Sequence, residues 1–155
     1  MELERVIKVN KDALKFFQSY VSTMIDIGGG NLPKTISSKL GSKLAKIYKS
    51  KGISNIKEAL KKSYEALKAK PVITDINENT FEVKINYSES FCPIGGKGST
   101  SSHKSRVIQD SICIPFTQGF LTELQPDFSY EGKIEECIIE SGGNTCRYKF
   151  TIKKR

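Results

Sequence analysis

The chain has no tryptophan, a single histidine and five prolines among 155 residues, and no apolar run nears the roughly 18 residues a membrane-spanning helix needs. With His103 the only histidine, a Ser-His-Asp triad would have to use it, and no serine sits in a nucleophile elbow, so hydrolase chemistry has little support. A haem axial ligand is equally lacking, since His103 lies in a Ser-rich stretch. Gly95-Gly96-Lys97-Gly98-Ser99-Thr100 superficially resembles a phosphate-cradling loop. However, Gly98 stands where Ser or Thr must follow the lysine, and Phe91 replaces the first required glycine. Gly28-Gly29-Gly30 follows a helical pattern rather than a strand, the reverse of a dinucleotide-binding turn. Charges interrupt residues 1–15 where a signal peptide has its apolar run, so the expectation is a cytoplasmic protein.

What is present is ordinary globular material, 37% hydrophobic and 27% charged, enough for one core and one domain over residues 1–155. Its net charge of +8 is uneven: residues 1–70 hold 15 basic and 6 acidic side chains, whereas residues 71–155 hold 10 and 11. Residues 31–70 alone carry 11 Lys against Glu58 and Glu65, a basic stripe whose commoner explanation is a solvated helix face. Nucleic acid is not the expected partner, because only Tyr48 and Tyr64 interleave the lysines as stacking platforms.

Apolar spacing predicts three helices in the helical part, residues 1–70. The first covers residues 10–27 and is expected to be well buried; the second runs from Leu32 to a stop at Gly52; the third spans Ile53 to Leu67, capped by Ser54 or Asn55 and ended by Pro71. Residues 71–155 are expected to form a sheet plus a helix. Alternation in 71–77 and 80–87 around Asn77-Glu78-Asn79 predicts a hairpin, and residues 93–105 read as a polar surface loop. A long helix is expected over 106–124, with Pro115 marking a kink or its true start. Strands at 129–139 and 145–152, joined by Gly142-Gly143-Asn144, complete the pattern. The fold class is α+β: N-terminal helices plus a four-stranded antiparallel sheet made of two hairpins separated by a long helix.

Cys92, Cys113, Cys137 and Cys146 all fall in the second half. In a reducing compartment a clustered, even set of thiols suggests zinc, although no CxxC knuckle is present; four buried cysteines serving as small hydrophobes is the equal alternative. His103 lies between two of them, as an alternative ligand or with no role. Glu135 and Glu136 should point to opposite strand faces and so form no paired-carboxylate site.

Over about residues 85–153, several motifs occur in order: Cys113, Ile114-Pro115-Phe116, Gly119-Phe120-Leu121, Glu136-Cys137, Gly142 or Gly143, and Cys146-Arg147-Tyr148-Lys149-Phe150. In that order they resemble the 4-vinyl reductase domain family, whose wider kin include ligand-sensing modules, vesicle-tethering subunits and haem nitric-oxide sensors. The resemblance implies a hydrophobic small-molecule (hydrocarbon) binding or sensing domain, a homodimer, with a structural zinc on Cys113, Cys137, Cys146 and, as fourth ligand, Cys92. Some relatives use a carboxylate three residues before the Glu-Cys cysteine, where this chain has Ile134. The pocket does not carry over by motif; on physical grounds Phe16, Phe17, Tyr20, Phe91, Phe116 and Phe120 are candidates to line it, each equally explained as core. Alternatives are an enzyme reducing a vinyl group on a tetrapyrrole, for which no nucleotide-cofactor motif is seen, and a basic nucleic-acid-binding or assembly module.

Overall fold

The computed structural model describes the backbone of residues 2–97 and 102–155 and the side chains of residues 12–96 and 102–155. The order is α1 (Glu2–Gly28), α2 (Asn31–Ser50), α3 (Ile56–Ala66), β1 (Lys70–Asn77), β2 (Thr80–Asn86), β3 (Phe91–Cys92), β4 (Gly96–Lys97), α4 (Ser102–Ile108), a π-helical segment (Gln109–Cys113), α5 (Ile114–Leu124), β5 (Phe128–Glu136), α6 (Ile138–Ser141) and β6 (Thr145–Lys154). An antiparallel sheet of order β1-β2-β6-β5 carries the helices, as the alternation and turn signals predict. Asn55 is the cap of α3, its side chain accepting the Glu58 N–H at 3.0 Å.

One core cluster lies on the sheet, where Phe81, Val83 and Ile85 of β2 and Tyr148 and Phe150 of β6 meet Phe120, Leu121 and Leu124 of α5 and Leu60 of α3. Helices α2 and α5 cross with their backbones touching. A Cβ at Gly41 would stand 2.0 Å from the Phe116 carbonyl oxygen, and one at Gly119 would stand 2.1 Å from that of Ser38. A second, smaller cluster joins Val21 and Ile25 of α1 to Cys92, Ile108, Ile112, Cys137, Ile138 and Ile139.

Several elements differ from expectation. The predicted long helix begins earlier, at Ser102, and is interrupted by the π-helical segment, where the Ile114 N–H bonds the Gln109 carbonyl. Pro115 has no N–H to offer the turn before it, and the wider loop ahead of it accommodates that loss, so α5 starts there. The stretch expected as a polar loop contains β4, paired with β3 just ahead of it, and the first turn of α4, while residues 98–101 lie outside the described residues. The strand expected to reach Ile139 stops at Glu136, because Ile138 and Ile139 are both buried and only a helical turn buries two successive side chains here. Gly142 closes that turn with φ of 73°.

The bulge between Ile134 and Glu136 also corrects the reading of the two acids. Both approach Arg147, Glu135 at 3.4 Å and Glu136 at 3.8 Å, so they share one cation instead of facing apart.

The first helix is half open. Its inner seam, Leu14, Gln18, Val21 and Ile25, takes the core contact, leaving Phe16, Phe17 and Tyr20 exposed.

Candidate functional site

The two core clusters meet along a seam that carries phenol hydroxyls and thiols. Tyr87, Ile134 and Cys146 pack against both clusters. Into the seam β6 delivers Tyr148, α3 delivers Tyr64, and the two phenol oxygens hydrogen-bond to each other. Thr117 on α5 lies within hydrogen-bonding reach of Tyr64, and its hydroxyl donates to the Cys113 carbonyl at 2.9 Å, one turn back. Burial pushes the phenols of Tyr64, Tyr87 and Tyr148 up, so all three are neutral donors at neutral pH.

The four thiols converge on the thiol-side cluster, where Cys92 and Cys137 are buried and Cys113 and Cys146 pack at the margin. Cys137 directly follows β5 and Cys146 is the second residue of β6, and their thiols hydrogen-bond. That bond, with the backbone N–H groups of Ile139 and Glu140 and the Ser105 hydroxyl, holds Cys137 down at about 6, whereas the same bond and burial push Cys146 up. Burial raises Cys113 and Cys92. Gln18 of α1 donates to the carbonyls of Cys92 and Pro93 at 3.0 and 3.2 Å, tying the first helix to the thiol-bearing ribbon.

The donor chemistry suits zinc, but the arrangement as it stands does not supply the expected tetrathiolate. Among the described residues no group of three or more His, Cys, Asp or Glu side chains is placed to hold a metal ion. The thiols come from a ribbon, a π turn and two strand ends, and Cys137 and Cys146 turn toward each other. His103 is exposed on the first turn of α4.

A surface cleft of about 520 Å³ opens beside the π-helical segment. Gln109, Asp110, Ile114, Pro115 and Gln118 form one wall, Gly132, Lys133 and Ile134 of β5 the other, and Lys34 stands at its rim. Ile134 therefore both lines the cleft and packs on the two clusters, which places the cleft directly outside the tyrosine and thiol seam. A smaller cleft of about 330 Å³ lies between α1, the β3–β4 turn and α4.

None of the six aromatic pocket candidates lines either cleft. Phe16, Phe17 and Tyr20 are 76%, 46% and 66% exposed, because α1 presents its other seam to the core. Phe120 is core, edge-on to Tyr48 with ring centroids 5.8 Å apart, while Phe116 lies at the α2 crossing and Phe91 is half-buried on β3. Tyr64, Tyr87, Tyr148 and Ile134 went unnoticed as site residues. The signal for Tyr87 and Tyr148 was a hydroxyl-bearing residue on the inward phase of a strand pattern, and for Tyr64 its place on the apolar phase of the third helix.

The architecture is that of an α+β domain with helices on an antiparallel sheet, and solved structures with the same fold exist. The trafficking protein particle complex subunit 3 from Naegleria fowleri, covalently bound to palmitic acid, superposes with a TM-score of 0.62 at 13% identity, covering 94% of this chain and 95% of its own. The phenol-responsive sensory domain of the transcription activator PoxR, with phenol, superposes at 0.53 and 14% identity, covering 89% of this chain and 73% of its own. Neither is named as an enzyme. No family model and no curated protein matches the chain, so the resemblance to the 4-vinyl reductase domain family rests on the motifs alone. No helix among the described residues is long and apolar enough to cross a membrane.

Proposed function

We propose that this chain is a 4-vinyl reductase-like domain that binds or senses a small hydrophobic molecule carrying one polar end, and that it works as a homodimer. The observation that carries the reading is the seam: neutral, buried hydroxyls of Tyr64, Tyr148 and Thr117 stand beside thiols behind a cleft that Ile134 helps to line. A polar seam between two apolar clusters gives a ligand both an apolar wall and a directional hydrogen bond. The π-helical segment along the cleft fits, since such segments interrupt helices frequently at functional sites. Support from fold likeness is that one neighbour holds palmitic acid and another phenol.

The test is thermal unfolding of the purified chain with phenol and with palmitate. A probe present at 100 times its Kd stabilises by about 2.7 kcal/mol, a readily measured rise in Tm. Tyr148→Phe should weaken phenol, and Ile134→Trp should abolish the effect of either probe by filling the cleft from its β5 wall. Unchanged Tm with both probes at saturating concentration would overturn the reading.

The finer part of the proposal gives the four thiols one structural zinc, supported by their gathering in one cluster and their donor chemistry. The side chains would have to close from a pair into a tetrahedron. Elemental analysis of untagged protein near one zinc per chain supports it; no metal with four titratable thiols removes it and leaves the seam reading standing.

A further inference from the structure

The cleft beside the π-helical segment carries charge that does not cancel. Lys34 and Lys133 bring two cations to it and Asp110 one carboxylate, while Ile114, Pro115 and Ile134 give it apolar surface; among the described residues no other titratable side chain lines it. Both lysines are exposed, and among the described residues neither side chain has a hydrogen-bond or ion-pair partner. The isolation of Lys133 follows from the sheet. Its register partner on β6 is Lys149, a like charge directly opposite, and Lys149 itself takes the neighbouring carboxylates, Glu82 at 3.9 Å and Glu135 at 3.3 Å. Glu131, two residues before Lys133 on β5, is held by Lys153 at 2.8 Å. Lys34 stands in the first turn of α2, which has no acidic residue. The amides of the cleft are already engaged: Gln109 donates to the Ser105 hydroxyl at 3.0 Å and to Glu140 at 3.1 Å, and Gln118 donates to the Tyr130 carbonyl at 3.0 Å. Since β5 is an edge strand and the Tyr130 carbonyl points outward to Gln118, alternation turns the N–H groups of Gly132 and Ile134 to the same side, toward the cleft.

We propose that the mouth of this cleft is an anion subsite, in which Lys34 and Lys133 hold the carboxylate of a ligand whose apolar body lies along Ile114, Pro115 and Ile134 toward the seam. This deepens the proposed function and rests on the cleft being the ligand's entrance; it names the ligand class as an aromatic or aliphatic monocarboxylic acid. Charge decides for a monoanion. Two cations against one carboxylate leave the mouth at a net +1, which a single carboxylate neutralises. A phosphate monoester, carrying about −1.5 to −2 at neutral pH, would overshoot that and face Asp110 with the excess. A neutral phenol makes no demand on the lysines, so it reports on the seam alone. The outward N–H groups of Gly132 and Ile134 add donors that suit a carboxylate's two oxygens, and the ammonium groups add the charge-assisted bonds that a neutral ligand cannot collect.

The test is isothermal titration calorimetry of the full chain at low ionic strength, with 3-phenylpropionate and octanoate each run against its own amide and phenol run alongside. Each acid should bind about tenfold tighter than the neutral amide of the same shape, an advantage that shrinks as salt is raised. Lys34→Gln and Lys133→Gln, both at exposed positions, should each weaken the acids about threefold and together remove the whole advantage, with the amides and phenol unchanged. Asp110→Asn should tighten both acids, and Lys39→Gln, on α2 but outside the cleft, should leave every probe as it was. Acids that bind no tighter than their amides, or an advantage that survives the double lysine variant, would overturn the proposal; if phenol still binds, the seam reading stands without it. Lysine-dependent binding of the acids with no binding of phenol would support the anion subsite and remove phenol from the seam. No binding of any probe would overturn both.

Discussion

The sheet-side and thiol-side cores are built from different chemistry. The first is made of large apolar and aromatic side chains brought in by strands distant in sequence: Phe81 stacks on Phe150 with centroids 6.0 Å apart, and Phe150 meets Tyr148 edge-on at 5.4 Å. The second is smaller and mostly aliphatic, joining Val21 and Ile25 of α1 to Ile108, Ile112, Ile138 and Ile139, and it holds thiols where the first holds rings. A core filled with interlocking rings has little freedom to accept a guest, whereas a smaller cluster of aliphatic side chains and thiols against a surface cleft can rearrange at lower cost. Stability and ligand chemistry are thereby placed on opposite sides of the same seam.

Substitutions can break that division. Phe150→Ala removes a fully buried ring from the sheet-side core and should cost about 3–5 kcal/mol in urea unfolding. Gly119→Ala forces apart the α2 and α5 backbones and should cost about 3 kcal/mol by the same assay, since a carbonyl and not a flexible side chain meets the new methyl group. On the other side the effect should fall. Cys113→Ala leaves a gap of about one methylene-sized group and should cost roughly 1 kcal/mol. Tyr64→Phe removes one hydrogen bond from the seam, again about 1 kcal/mol, but should also weaken phenol binding where Gly119→Ala does not. Lys57→Ala, which breaks an exposed ion pair with Asp75, should change stability by less than about 1 kcal/mol. If the thiol-side substitutions proved as costly as Phe150→Ala, the contrast between the cores would fail.

The sheet-side core was the legible one. Phe81, Val83 and Ile85 alternate strictly, and Asn77-Glu78-Asn79 and Gly142-Gly143-Asn144 mark turns, so local pattern sufficed for the strands and for the sequence-adjacent pairs β1–β2 and β5–β6, while the β2–β6 pairing that joins them is long-range. The other side resisted for physical reasons. The π-helical segment and α5 share one apolar periodicity, and the register shift between them shows only in hydrogen bonds. Helix α1 has apolar residues on two seams, and periodicity cannot choose which faces inward. The grouping of cysteines was visible as a cluster, but the pairing of Cys137 with Cys146 depends on the β5 bulge and the α6 turn. Adjacent Ile138 and Ile139, which interrupt strand alternation, were the readable sign of that turn.

The central claim is that the seam behind the π-helical segment takes up a small hydrophobic molecule. The most direct measurement is a titration of the ¹⁵N-labelled chain with phenol, followed by ¹H–¹⁵N correlation spectra. Saturable shifts concentrated at Cys113, Thr117, Ile134 and Tyr148, lost in Ile134→Trp, are the predicted result. Shifts confined to the outer faces of α1 and α2, or no saturable shift anywhere, would contradict it.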